Sequence, residues 1–334
     1  MEDYALATIS EPPTQVERGI KLIVQIPCLN EEDTLPATLA AIPRSFDGVD
    51  SVEILVINDG STDRTVEVAR NLGVEHVLNF KTNQGLAKVF IAGLREAARL
   101  NADYVINLDA DNQYDARDIP KLIAPLQAGR ADIVVGERPI DKIEHFSYTK
   151  KKLQQLGSWV VRRLAHCDVR DSPSGFRAFN RKAMLRLFIF NDYTYTHESL
   201  IAAKDSDLKV VGVPIHVNPG VARPSRLMKN AASYVFLSGG TILRFYLLYN
   251  PRTIFNGFGL ISGGLGGFLM LRFLYFYLTG DGSGHVQSVI VGGVLLIASM
   301  LAFILAVFSD IMRINRKLIQ EALAELRQGR YSNS

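Results

Sequence analysis

NLDADNQYD, residues 107–115, closes an apolar run that starts at Tyr104 and sets two aspartates one residue apart, with Gln113 at the next alternate position. Standing alone, such a stretch is a strand followed by a polar turn, because Asp and Asn are common turn residues. Its weight comes from its neighbours. KLIVQIPCLN (21–30), VEILVINDGSTD (52–63) and HVLNF (76–80) are three earlier apolar runs, each followed by polar residues. The stretches EEDTLPATLAAI, RTVEVARNLG and GLAKVFIAGLREAARL come after them with helical spacing. Strands alternating with helices of this length predict a mostly parallel, doubly wound α/β sheet of Rossmann-like type. Ligands bind beyond the carboxyl ends of the strands in such sheets. Asn30 and Glu31, Asp59, Asn83 and Lys88, and Asp109 and Asp111 all fall at that edge.

The chain has no G-x-G-x-x-G and no G-K-[ST], which excludes a dinucleotide fingerprint and a P-loop. Without a glycine cradle, the charge of a bound diphosphate needs another partner, and a divalent metal held by carboxylates is the economical one. Asp109 and Asp111 point to one side if the strand continues, with Gln113 beyond them. Hard oxygen ligands favour Mg²⁺ or Mn²⁺ over zinc.

Over 334 residues the composition changes once, sharply. Residues 1–18 are acidic and Pro-bearing, and predict a flexible tail and no secretory signal. Residues 19–222 predict the soluble domain. Residues 254–278 and 286–308 are each long enough to cross a hydrocarbon core of about 20 apolar residues. Their glycines suit close helix packing in lipid. The connector TGDGSGH (279–285) has no Lys or Arg, whereas Arg244, Arg252, Arg313, Arg316 and Lys317 flank the spans. The positive-inside rule then predicts a multi-pass protein of the cell (inner) membrane with its large domain on the cytoplasmic side. Arg272 lies within a span and is expected to snorkel outward. Residues 223–253 mix basic and aromatic side chains and predict amphipathic helices in the interface, and 309–334 a cytoplasmic C-terminal helix or tail. A net charge of +3 is too small to argue for nucleic acid, and two cysteines provide neither a disulfide framework nor a zinc site.

PCLNEE, VINDGSTDRT, NQGLAKVFIAGLREA and DADNQ together resemble the family 2 glycosyltransferases of the GT-A fold. VVGERP (134–139), RDSPSGFRAFNRKAM (170–184) and HESLIAAKDSDLKVVGVPIHV (197–217), followed by paired spans, narrow the resemblance. It is to the polyprenyl-phosphate glycosyltransferases, the group of dolichyl-phosphate mannose synthase and the GtrB-type enzymes. The resemblance implies inverting transfer of a sugar from a nucleotide sugar, UDP favoured over GDP, to the phosphate of a membrane polyprenyl phosphate. It implies that Pro27, Leu29, Glu31, Asp59, Lys88 and Asp109 hold the nucleotide. Asp109, Asp111 and Gln113 would bind Mg²⁺ or Mn²⁺. Asp171, together with Asp111, would be catalytic. Arg138, Arg177, Arg223 and Arg226 would hold the acceptor phosphate, Arg223 and Arg226 being equally suited to anionic lipid heads.

A phosphate monoester is largely anionic at neutral pH, with a second pKa of about 6. Catalysis can therefore rest on alignment and on charge stabilisation of the departing diphosphate. Two other readings stand beside this one. A processive synthase of the same fold would carry a Gln-x-x-Arg-Trp signature, which the single Trp159 lacks. A membrane-anchored nucleotide-sugar sensor would have no use for an acceptor site. The sugar, the polyprenyl length and any homo-oligomer are left open.

Overall fold

The computed structural model describes residues 19–139, 157–159, 161–163, 165–189, 195–218, 250–280 and 283–332. The apolar runs form β1 (Lys21–Cys28), β2 (Ser51–Asp59), β3 (His76–Phe80) and β4 (Tyr104–Asn107). Between them lie α1 (Leu35–Ala41), α2 (Thr65–Asn71) and α3 (Leu86–Arg99). Parallel strands need such crossovers, and the four pair in parallel in the order β3-β2-β1-β4. Both faces of the sheet are covered, which is why these strands read as continuous apolar runs. Ile23, Leu55, Ile57 and Val105 meet Phe90 and Leu94 of α3 on one face. Leu22, Val24, Ile54, Val56 and Ile106 pack beneath Leu35 and Ile119 on the other.

The second half adds α4 (Ile119–Gln127), β5 (Ile133–Glu137), β6 (Arg177–Asn180), α5 (Arg181–Arg186), α6 (Thr196–Asp205) and β7 (Val210–Pro214). β6 inserts antiparallel between β4 and β5, and β7 extends β5 in parallel, giving the seven-stranded order β3-β2-β1-β4-β6-β5-β7. The reversal at β6 has a functional consequence. It sets Arg177 opposite Asn107, so the turn before β6 lies over the carboxyl end of β4.

Two long helices follow, α7 (Pro251–Leu278) and α8 (Val286–Ser332), both long and apolar enough to cross a membrane. Small residues let their backbones approach. A Cβ on Gly266 would stand 2.9 Å from the Gly292 carbonyl oxygen, and Ser299 Oγ donates to the Gly259 carbonyl at 2.7 Å. Arg272 of α7 donates to Ser288 Oγ of α8 at 2.9 Å, a partner within the helix pair where snorkelling was expected.

α8 does not break at residue 308 but continues as one helix to Ser332. Its charged half lies along the soluble domain. Arg316 pairs with Asp205 at 2.6 Å and Lys317 with Asp207 at 3.0 Å. Arg327 donates to the Leu185 carbonyl and stands 4.5 Å above the Phe188 ring. Asp205 and Asp207 precede β7, at the end of the sheet away from Asp109 and Asp111. The tail 1–18 and nearly all of the expected interfacial segment 223–253 lie outside the described residues.

Candidate active site

Beyond β4 the chain passes through Leu108 to Asp109, which protein surrounds on most sides while part of its surface stays open. Asp111 accepts the Gln113 N–H at 3.0 Å, and Asn112 takes a left-handed φ of 55°. These bonds make the turn that aims the loop. The segment after β7 ties it from the other side. Asn218 donates its N–H to the Gln113 carbonyl at 2.9 Å and its side-chain amide to the Asn112 carbonyl at 2.9 Å.

The turn 171–175 closes directly on Asp109. A Cβ at Gly175 would lie 2.6 Å from Asp109 Oδ2, so no side chain fits between them. A buried polar chain fixes this approach. Gln25 donates to Asn107 Oδ1 at 2.9 Å, and Asn107 Nδ2 donates to the Gly175 carbonyl and to Tyr195 Oη, both at 2.9 Å. The Gly175 N–H donates to Tyr114 Oη at 3.0 Å, and the Tyr195 ring stacks on Phe90 with centroids 3.9 Å apart. Sequence reasoning missed Gln25, Asn107, Tyr114, Gly175 and Tyr195. A signal was there for two of them: Gln25 and Asn107 are polar residues inside apolar strands, and buried polar groups require partners.

Electrostatics concentrate on Asp109. Burial, the Asp111 carboxylate and, more weakly, Glu31 push its pKa up to about 7, against the pull of Arg138 and Arg177. Two carboxylates that disfavour each other's charge in an enclosed site are stabilised by a cation, and this is the fit a divalent metal needs. Among the described residues no three His, Cys, Asp or Glu side chains converge on a metal position. The loop thus carries the two carboxylates Asp109 and Asp111, with Gln113 following them in sequence. Mg²⁺-type ions suit such a partial set, since they commonly complete their shell with phosphate oxygens and water.

Asp171 and Arg138 are joined in a two-pronged ion pair. Arg138 Nε donates to Oδ2 at 2.7 Å and Nη2 to Oδ1 at 3.0 Å, while the Arg138 backbone N–H adds a third bond to Oδ2 at 3.2 Å. Asp171 is fully buried. In this placement both oxygens of Asp171, the residue expected to be catalytic, face Arg138. Arg177 lies behind this pair. It too is fully buried, and it donates to the carbonyls of Ser174 and Ser172 at 2.8 and 2.6 Å and to Ser199 Oγ at 2.5 Å. It braces the 171–175 turn from behind and has no surface to show an acceptor phosphate. Arg138 keeps a small exposed surface and stands in the field of Asp109.

The strand ends of β1 and β2 form the neighbouring wall. Pro27 sits opposite Ile57 near the end of β1, and Leu29 follows the strand. Asn30, at φ 53°, receives the Thr62 N–H on its side chain at 2.8 Å, and the Glu31 N–H donates to Thr65 Oγ1 at 2.9 Å. Asp59 accepts the N–H groups of Gln84 and Gly85 at 2.6 and 3.1 Å, so it anchors the loop that leads into α3. Lys88 is exposed in the first turn of α3. The sheet order brings Glu31, Asp59, Asp109 and Asp111 to one edge. Arg223 and Arg226 lie outside the described residues.

A Rossmann-like sheet with a split strand order, acids at its carboxyl edge and a turn closing over them defines a GT-A-type transferase fold. Residues 23–188 match the Glycosyl transferase family 2. An uncharacterised glycosyltransferase of Mycobacterium tuberculosis is 33% identical over 63% of this chain and 90% of its own length. The undecaprenyl-phosphate mannosyltransferase of Micrococcus luteus is 30% identical over 48% of this chain and 66% of its own. Among solved structures, the glucosyl-3-phosphoglycerate synthase of M. tuberculosis with phosphoglyceric acid superposes with a TM-score of 0.54 at 22% identity, covering 67% of this chain and 80% of that one. Its complex with Mn²⁺, UDP and glucosyl-3-phosphoglycerate gives 0.50 at 20% identity, covering 69% and 79%. The chain belongs to glycosyltransferase family 2 and is a glycosyltransferase.

Proposed function

We propose that this enzyme moves a sugar from a nucleoside diphosphate to the phosphate of a membrane polyprenyl phosphate, inverting the anomeric carbon. The observation that carries the reading is the closed edge of β4, where Asp109 and Asp111 meet the Gly175 turn and the Arg138–Asp171 pair. Two long apolar helices and a relative named for undecaprenyl phosphate support a lipid acceptor. A structural neighbour that binds UDP and Mn²⁺ supports a metal-assisted nucleotide site. Mannose is the first sugar to test, given the relative's name, with UDP- and GDP-linked donors side by side.

Asp109, Asp111 and Gln113 would hold Mg²⁺ or Mn²⁺, which when bound neutralises charge on the diphosphate. The strand ends at Pro27, Leu29, Glu31 and Asp59, with Lys88, orient the nucleotide. Arg138, held rigid by Asp171, presents its remaining surface to a phosphate, and rigid donors aimed at developing charge give the largest catalytic terms. An oxygen of the lipid phosphate attacks the anomeric carbon, and the bond from that carbon to the diphosphate breaks. The phosphate is already deprotonated, so no protein base is required. Asn218 is anchored on the metal loop and Arg223 follows five residues later, within about 18 Å of extended chain. Arg223 and Arg226 are accordingly kept as acceptor-phosphate candidates, in place of Arg177. The basic flanks of α7 and α8 support a domain on the cytoplasmic side of the inner membrane. The test is a panel of nucleotide sugars with a short polyprenyl phosphate and the full chain. Nucleotide release that requires the lipid supports the reading, and release indifferent to it sinks the lipid assignment.

A further inference from the structure

The loop that carries Asp109 and Asp111 leaves β4 after Asn107 and runs past the edge of the sheet. One residue from elsewhere in the chain holds its backbone. Three consecutive carbonyls, those of Asn112, Gln113 and Tyr114, all accept from Asn218. The Asn218 N–H donates to the Gln113 carbonyl at 2.9 Å. Its Nδ2 donates to the Asn112 and Tyr114 carbonyls at 2.9 and 3.3 Å, with Asn112 Oδ1 beside them at 3.3 Å. Backbone carbonyls only accept, so the atom facing them is the amide nitrogen. Neither a carboxylate nor an apolar side chain at 218 can make these bonds.

Asn218 is itself held in place. The buried Ile215 donates its N–H to the Glu137 carbonyl at 3.0 Å, at the end of β5. The His216 N–H donates to the buried Asp118 carboxylate at 2.5 Å, and the His216 carbonyl accepts the Asp115 N–H at 3.4 Å. Val217 then bridges Tyr114 in antiparallel sense. Residues 215–218 thus tie the loop to β5 and to the start of α4.

The acids are what make such a clasp useful. The Asp111 carboxylate disfavours charge on Asp109, so a loop free to relax would move the two apart. Fixing the backbone of 112–114 keeps them together before an ion arrives. The cost of assembling the ligands then falls on folding and not on binding, which is how preorganised sites gain affinity. We infer that Asn218 is a positioning residue for the divalent ion: its amide fixes the curve of the loop that keeps Asp109 and Asp111 close, without touching the ion. The inference rests on the metal site proposed above.

The test uses the full chain in detergent and counts free Mn²⁺ by electron paramagnetic resonance, with circular dichroism and melting temperature as folding controls. Asn218→Ala removes the side-chain bonds and keeps the backbone one. Mn²⁺ affinity should fall on the order of tenfold, as it does when a residue that orients metal ligands is lost. Asn218→Asp keeps the shape but turns an anion on two carbonyl oxygens, and should bind Mn²⁺ more weakly than the alanine variant. In transfer assays, raising Mn²⁺ should bring kcat of Asn218→Ala back to that of the wild type. Wild-type Mn²⁺ affinity in Asn218→Ala, or a kcat that stays low at saturating Mn²⁺, would overturn the inference. Tighter binding by Asn218→Asp would overturn it too, since residue 218 would then reach the ion. Absence of Mn²⁺ binding by the wild-type chain would instead overturn the metal site on which the inference rests.

Discussion

Gly175 presents its bare Cα to the carboxylate of Asp109, so closely that a methyl group there would fall 2.6 Å from Oδ2. The glycine is demanded by contact and not by backbone angle. Gly175→Ala should push Asp109 or the turn aside and weaken metal binding at least tenfold, with the sheet intact. Titration of free Mn²⁺ by electron paramagnetic resonance, beside far-ultraviolet circular dichroism, checks this. Unchanged Mn²⁺ affinity would show that the turn does not shape the metal site.

Asp171 serves by holding Arg138, so Asp171→Asn should lower thermal stability and raise the KM for the lipid phosphate. Breaking a buried pair costs about 3–5 kcal/mol. The pH dependence of kcat should keep its shape. A general base removed from the reaction would instead lower kcat by about 10²–10⁴, and the limb of the profile that reports it would vanish.

His197, at the start of α6, supplies a pH dependence of stability. Burial, helped by Arg177, pushes its imidazole down to about 4, against the opposing pull of Asp171. Its Nδ1 has no hydrogen-bond partner among the described residues. The fold thus holds a neutral ring whose unfolded pKa is about 6.5. Stability from this group is fully present above pH 6.5 and is lost as pH falls towards 4, by up to about 3 kcal/mol. His197→Gln should flatten the fall in melting temperature between pH 6.5 and 4.5. An identical pH slope in the variant would mean that the acid sensitivity lies elsewhere.

The orientation of α7 and α8 is open to labelling. A cysteine at Ser283, in the connector between them, should react with an impermeant maleimide added to intact cells. One at Ser334 should react only after permeabilisation. The reverse pattern would place the soluble domain outside.

How far the sequence could be read depended on range. β1 to β4 and their crossovers were legible because burial on both faces writes unbroken apolar runs. The acids at the strand ends were legible because topology alone gathers them at one edge. β6 was not, since RAFN is four residues long and its antiparallel insertion depends on partners far away in the chain. For the same reason Arg138 and Arg177 looked alike. Each is an arginine in a loop motif, yet one is paired with an acid 33 residues on and the other is sealed by serine oxygens. The helix expected after 308 runs on unbroken from the second apolar stretch, because no proline interrupts 286–332 and the pattern keeps helical spacing.

Transfer to the lipid makes a new bond between the anomeric carbon and the lipid phosphate. The direct measurement supplies nucleotide sugar labelled with ¹³C at that carbon, with a short polyprenyl phosphate, Mn²⁺ and the full chain, and reads the lipid product by nuclear magnetic resonance. A ¹³C–³¹P coupling is expected in a product of inverted configuration, abolished by Asp111→Ala or by chelation. A retained configuration, a lipid product formed equally well in excess chelator, or nucleotide release with no labelled lipid would contradict it.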